Sequence, residues 1–136
     1  METKLKIIMV DDNVPFRTNL KIYIESKLCY SVIAEASNGL EFLALPNIGI
    51  ADIILMDIVM DEMDGIEATK HILWNRSYLK IIAITMHTEK IYLLQLVETG
   101  FKGCVFKSNI YDQLDDAIKT VLSGKLFIPD NIPIDK

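Results

Sequence analysis

The sequence predicts an α/β fold, a doubly wound parallel sheet of five strands with helices on both faces. Three observations lead to it. Strand-like and helix-like segments alternate from end to end, five of each. Three of the strands, 5–10 "LKIIMV", 52–56 "DIILM" and 80–85 "KIIAIT", are nearly unbroken apolar runs. A strand reads this way when helices cover both of its faces, as in a parallel sheet. Finally, four of the five strands run directly into a polar residue: Asp11 and Asp12, Asp57, Thr85 and Lys107.

Each element has its own justification. Residues 5–10 form the first strand. From Pro15, a residue suited to a first helical turn, Phe16, Leu20, Tyr23, Ile24 and Lys27 follow helical spacing. The second strand, 30–36 "YSVIAEA", mixes polar and apolar residues. A short helix, 38–45, is stopped by Pro46. The third strand ends at Met56, and "DG" at 64–65 marks a turn where Asp64 caps a helix running through Trp74. The fourth strand is 80–85, followed by a helix over 88–99 that ends near Gly100. A short fifth strand, 103–107, precedes a last helix over 110–123, stopped by Gly124.

The chain's 136 residues suit one domain with a real core, and 51% apolar with 24% charged residues is globular composition. No apolar run approaches the roughly 20 residues of a membrane span, so no membrane association is expected. The N-terminus reads as a strand and not as a leader. Two cysteines, Cys29 and Cys104, lack metal-binding spacing and suit a reduced, cytoplasmic setting. A net charge of −5 argues against nucleic-acid binding by the whole surface.

Parallel α/β sheets bind ligands at the carboxyl ends of their strands. There this chain gathers Asp11, Asp12, Asp57, Thr85 and Lys107. Alone, each has an ordinary reading: a turn or cap aspartate, a solvated acidic loop, a cap threonine, a surface lysine. Together they need a shared one. Two carboxylates about 4 Å apart repel by about 4 kcal/mol at an effective dielectric near 20, so three of them call for a cation. Oxygen ligands suit Mg²⁺, which keeps several waters and takes one or two carboxylates plus phosphate oxygens. A lysine and a hydroxyl suit the oxygens of a phosphoryl group. The set describes an aspartate nucleophile, Asp57, that accepts a phosphoryl group and becomes an acyl phosphate.

On these residues, and on "MDIVMDEMDGIEA" after the third strand, the chain over about residues 4–123 resembles a response-regulator receiver domain of a two-component system. The segment "LDDAIKTVLSGKLFIPDNI" resembles the last helix and linker of regulators with a LuxR/NarL-class helix-turn-helix output domain. The resemblance implies a flavodoxin-like (βα)5 sheet in the order 2-1-3-4-5. It divides the chain into a receiver, 1–123, and a tail, 124–136, that starts a linker to an output domain absent from these residues. It also implies the mechanism. A sensor histidine kinase donates a phosphoryl group to Asp57 with Mg²⁺ held by Asp12, Asp57 and the backbone carbonyl of Val59, with Asp11 close by. Lys107 pairs with Asp57 and then with the phosphoryl group. Thr85 moves toward a phosphoryl oxygen, and the surface of the fourth helix, fifth strand and fifth helix changes. Such a domain is a phosphoacceptor that controls an output, transcription in this class, and not an enzyme with a separate substrate. DNA would be reached only through the output domain.

The sequence departs from that family's pattern at Asp61 and Ser108, where proline is common, at Met86, where a small residue is preferred, and at Cys104, where many members carry a switch aromatic. Met86 is flexible and next to Thr85, so it is expected to repack into the volume that Thr85 vacates when it moves, a volume that the small Cys104 does not fill as a switch aromatic would. Its bulk is also expected to narrow access to Asp57. The apolar stripe Ile110, Leu114, Ala117, Ile118, Val121 and Leu122 predicts phosphorylation-dependent homodimerisation through the face of the fourth helix, fifth strand and fifth helix, or through the first and fifth helices; core packing is its other reading. Competing chemistries lack their residues. A haloacid-dehalogenase-type phosphatase needs an acid where Val59 stands, and "VDDNVPF" holds neither a dinucleotide fingerprint nor a P-loop. The remaining alternative is a pseudo-receiver, a binding module that signals without phosphoryl transfer. His87 reads as a loop histidine at the site's edge.

Overall fold

The computed structural model describes residues 4–87 and 89–129. Five strands, β1 (Lys6–Val10), β2 (Ser31–Ala36), β3 (Ile53–Asp57), β4 (Ile81–Thr85) and β5 (Gly103–Phe106), form one sheet in the order β2-β1-β3-β4-β5. Every neighbouring pair is parallel. The helices are α1 (Val14–Ser26), α2 (Gly39–Leu43), α3 (Gly65–Asn75), α4 (Lys90–Thr99) and α5 (Ile110–Leu122). The predicted fold class and strand order are therefore those observed.

The alternation of side chains along each strand sorts the core into two layers. Ile53 and Leu55 of β3 face α1 and α5, packing with Leu20, Ile24, Leu114 and Ile118. Ile54 and Met56 face the other way, with Phe42, Ala68, Ile72, Leu93 and Leu96 of α2, α3 and α4. Both sets are buried because the sheet is covered on both sides, which is why β1, β3 and β4 read as unbroken apolar runs. Each such side chain contributes about 1.5–3 kcal/mol by leaving water.

Caps place the helix starts. Asn13 Oδ1 accepts the Phe16 N–H, Asn38 Oδ1 the Glu41 N–H, and Asp64 Oδ1 the Glu67 N–H. Asn38 thus caps α2 from outside, and that helix is shorter than the 38–45 expected. Helix α4 begins at Lys90 and not at 88, a position outside the described residues. At its other end Gly100 takes φ 118°, a left-handed conformation open to glycine, and closes the helix. Strand β5 stops at Phe106, one residue short, because Lys107 opens a 3₁₀ turn, Lys107–Asn109.

The stripe on α5 is core. Ile110, Leu114, Ala117, Ile118 and Val121 are all buried against the sheet, and only Leu122 keeps 39% exposure. After α5 the chain turns back to the sheet: Phe127 N–H donates to Lys102 O and Phe127 O accepts the Cys104 N–H. Among the described residues no helix is long and apolar enough to cross a membrane.

Candidate functional site

The parallel arrangement brings the ends of β1, β3, β4 and β5 to one edge, and the polar residues arrive there because each directly follows, or ends, a strand. A cleft of about 470 Å³ opens at this edge, lined by Asp12, Asn13, Asp57, Val59, Thr85, Met86, His87 and Lys107. Oxygens of Asp11, Asp12 and Asp57 lie within 4.8 Å of one another.

Asp11 is buried and held on three sides. Its N–H donates to Ala36 O at 3.0 Å, its Oδ1 accepts the Asn13 N–H at 2.8 Å, and its Oδ2 lies 3.0 Å from Lys107 Nζ. Arg17 of α1 clamps the backbone beneath it. One guanidinium nitrogen donates to the Asp11 carbonyl and to Ser37 Oγ, while Nε pairs with Glu35 Oε1 at 2.9 Å. Lys21 adds a second contact to Glu35 at 3.2 Å. The ends of β1 and β2 are thus tied to α1 by a charged network. Asp12, beside Asp11, is exposed to the cleft.

Asp57 ends β3, paired in register with Ile84 of β4. It is buried, and its Oδ1 accepts the Ile58 N–H at 2.9 Å. Burial, helped by the negative charges of Asp11 and Asp12, pushes its carboxyl up to about 7, against the lowering pull of Lys107 and the Ile58 N–H. The loop after Asp57 folds back so closely that Gly65 N–H donates to Ile58 O at 2.8 Å, and a Cβ at Gly65 would stand 2.2 Å from the Asp57 carbonyl oxygen. The "DG" at 64–65 is therefore both a helix cap and a close approach.

Lys107 Nζ bridges the acids, 3.0 Å from Asp11 Oδ2 and 3.6 Å from Asp57 Oδ1, and sits 4.5 Å above the Phe16 ring. The expected partner was Asp57; Asp11 is nearer. In this acidic cluster the ammonium goes to the carboxylate oxygen that its short 3₁₀ turn lets it reach, and the aromatic face of Phe16 steadies it.

Thr85 ends β4, buried, with its Oγ1 accepting the His87 N–H at 3.0 Å. Cys104 is buried beside β4, its thiol pushed up to about 12 by burial. Met86 is 78% exposed at the cleft rim. Tyr92 of α4 is half-buried against the core layer that contains Cys104. His87 does line the cleft as an exposed loop residue, with Nδ1 3.5 Å from Glu89.

The site therefore collects Asp11, Asp12, Asp57, Thr85 and Lys107, anticipated from strand ends, and Val59, anticipated from the family resemblance alone. Asn13, Phe16, Arg17 and Tyr92 were not anticipated. Asn13 and Phe16 follow the acidic pair directly, so their proximity could have been read; Arg17 and Tyr92 carry no local signal, because only helix packing brings them in. An all-oxygen donor set of three clustered carboxylates fits a hard divalent cation such as Mg²⁺.

The profile of the response regulator receiver domain matches residues 7–119. Curated relatives include the transcriptional regulatory protein LiaR of Bacillus subtilis (strain 168), 34% identical over 121 residues, covering 89% of this chain and 57% of the relative. YdfI, a transcriptional regulatory protein of the same organism, is 33% identical over 127 residues, 93% of this chain and 59% of its own length. The chain spans a little over half the length of such relatives, 54% for DegU of Brevibacillus brevis. Among solved structures, a LuxR-family two-component response regulator from Aurantimonas sp. SI85-9A1 superposes with a TM-score of 0.86 at 33% identity, over 96% of this chain and 93% of that one.

Proposed function

This chain belongs to the response regulator receiver domain family, a family of phosphorylation switches, and from that premise we propose how its own residues do the switching. One observation carries the reading. Three carboxylates from two strand ends lie within 4.8 Å of one another, with one lysine 3.0 and 3.6 Å from two of them. No structural need explains such a cluster, since like charges at this spacing oppose folding.

A sensor histidine kinase presents a phosphohistidine at the cleft. An Asp57 carboxylate oxygen attacks phosphorus; the new P–O bond forms as the P–N bond breaks, and the imidazole leaves with the electron pair and takes up a proton. Asp12, Asp57 and the Val59 carbonyl would hold Mg²⁺, with Asp11 beside them, and the ion supplies positive charge against the carboxylates and the phosphoryl oxygens. Lys107 shifts from the acids to a phosphoryl oxygen, and the Thr85 hydroxyl donates to another. The loop after Thr85 then moves, and the surface of α4, β5 and α5 changes in population. Hydrolysis of the acyl phosphate by water resets the domain slowly.

The proposed output is transcriptional, in the cytoplasm, through a DNA-binding domain joined by residues 124–136 to the receiver, 1–123. The relatives' names and the LuxR-family structure support this. Phosphorylation-dependent dimerisation is also proposed, through α4 where Ile91 and Leu94 remain exposed; sedimentation with and without beryllofluoride tests it, and a monomer in both states counts against it.

Labelling by acetyl phosphate or a phosphorylated kinase domain, with Mg²⁺, tests the phosphoacceptor. Wild type becomes labelled and Asp57→Ala does not. Labelling of the variant at wild-type rate and stoichiometry would move the nucleophile elsewhere, and an unlabelled wild type would favour a binding module without phosphoryl transfer.

A further inference from the structure

Arg17 meets the acidic pair at its backbone. It stands in the first turn of α1, where its N–H donates to Asn13 O at 3.0 Å. Its side chain, 14% exposed, turns back under the loop between β1 and α1. One guanidinium nitrogen donates to the Asp11 carbonyl, to Ser37 Oγ at 3.0 Å and, more weakly, to Ala36 O at 3.4 Å. The fork is itself held in place. Its Nε pairs with Glu35 Oε1 at 2.9 Å, and Lys21 Nζ lies 3.2 Å from the other Glu35 oxygen. Ala36 O also accepts the Asp11 N–H at 3.0 Å, so both peptide groups of Asp11 are tied to the end of β2. Among the described residues the ion-pair partner of Arg17 is Glu35, not the carboxylate of Asp11 or Asp12.

The Asp11 carbonyl belongs to the peptide unit from which Asp12 starts. That unit is planar, so a bond that fixes its oxygen also fixes the direction in which Asp12 departs. A charged donor holds a carbonyl more firmly than a neutral one. Asp12 is exposed at the cleft, so its aim depends on the backbone that carries it. Resting on the reading of Asp11, Asp12 and Asp57 as a Mg²⁺ site, we propose that Arg17 is the positioning residue of the acidic pair: its guanidinium fixes the peptide between Asp11 and Asp12, so that their carboxylates stand beside Asp57 before a cation binds. A site ordered in advance binds more tightly, because binding then has less to order. Arginine suits the task. One planar fork serves Glu35 along one edge and the backbone along the other, which a lysine ammonium cannot do. Electrostatics alone predicts the opposite effect. A cation near acids competes with Mg²⁺, and removing it should tighten binding. The sign of the change separates positioning from charge.

Calorimetric titration with Mg²⁺, well below the thermal midpoint of each protein, tests the proposal on folded chains. Arg17→Lys keeps the charge and removes the fork; Arg17→Met removes both. Each should weaken Mg²⁺ binding by about 10- to 100-fold, the usual cost of losing a group that orients a metal ligand. Lys21→Ala loosens the same network at Glu35 and spares the Asp11 carbonyl, so it should leave the affinity unchanged. In the metal-free protein the amide resonance of Asp12 should move in Arg17→Lys and stay in place in Lys21→Ala. Should Arg17→Met fail to fold, Arg17→Lys decides. A role confined to tying α1 to β2 would lower the thermal midpoint and leave the Mg²⁺ affinity of folded Arg17→Lys at the wild-type value, which overturns the assignment. Tighter binding by either Arg17 variant, a loss as large in Lys21→Ala, or an unmoved Asp12 resonance overturns it as well. A wild type that binds no Mg²⁺ overturns the metal-site reading itself, whereas wild-type binding that Arg17→Lys matches overturns the role of Arg17 alone.

Discussion

Lys107 Nζ stands closer to Asp11 Oδ2, at 3.0 Å, than to Asp57 Oδ1, at 3.6 Å. The lysine is the resident positive charge of a cluster that otherwise holds only acids. Removing it leaves buried carboxylates facing each other without compensation.

Lys107→Met should therefore destabilise the metal-free protein by about 1–3 kcal/mol, the usual cost of stranding a buried polar group. Urea unfolding in a chelator measures it. Added Mg²⁺ should restore much of the loss, because a cation can replace the ammonium. A variant as stable as wild type without metal would show that Lys107 does not hold the cluster together.

The stability of the metal-free protein should depend on pH through Asp57. Its carboxyl is held up to about 7 in the folded chain, above its ordinary value of 3.8. The folded state therefore binds the proton more tightly, and its advantage is complete below the unfolded value and lost as pH rises through about 7. Wild type should be less stable at pH about 8 than at about 5, whereas Asp57→Asn should lack this part of the slope and gain on wild type at the higher pH. Parallel slopes for the two proteins would place the titration elsewhere.

Asp12→Ala should weaken Mg²⁺ binding on the order of tenfold or more, through loss of one charge from the site. Its side chain is exposed, so the thermal midpoint without metal should change little or rise slightly. Calorimetric titration reads the affinity, and an unchanged value removes Asp12 from the metal site.

Gly65→Ala should cost about 1–3 kcal/mol by overpacking, despite the better helix propensity of alanine. The added Cβ would meet the Asp57 carbonyl oxygen at 2.2 Å and Met56 Cγ at 2.9 Å, so the loop after β3 must shift. Labelling of Asp57 by acetyl phosphate should slow together with the loss of stability. Wild-type rates would mean that the loop absorbs the methyl without moving the nucleophile.

The sequence by itself determined the layers and the edge. Apolar runs at β1, β3 and β4 announce burial on both faces, because a polar side chain there would have no partner. The same cost places Asp11, Asp57, Thr85 and Lys107 where strands stop, at one rim of a parallel sheet. What only the tertiary structure decided concerns pairs distant along the chain. Lys107 goes to Asp11 by the reach of a 3₁₀ turn and the ring of Phe16. Tyr92 packs on the core layer that contains Cys104 because the docking of α4 brings its ring inward, whereas Met86 stands exposed at the cleft rim. The stripe on α5, Leu122 apart, is used by the sheet, and its pattern alone could not tell one buried face from two. Periodicity fixes which side of an element is apolar; the angle and depth at which elements pack decide which atoms finally meet.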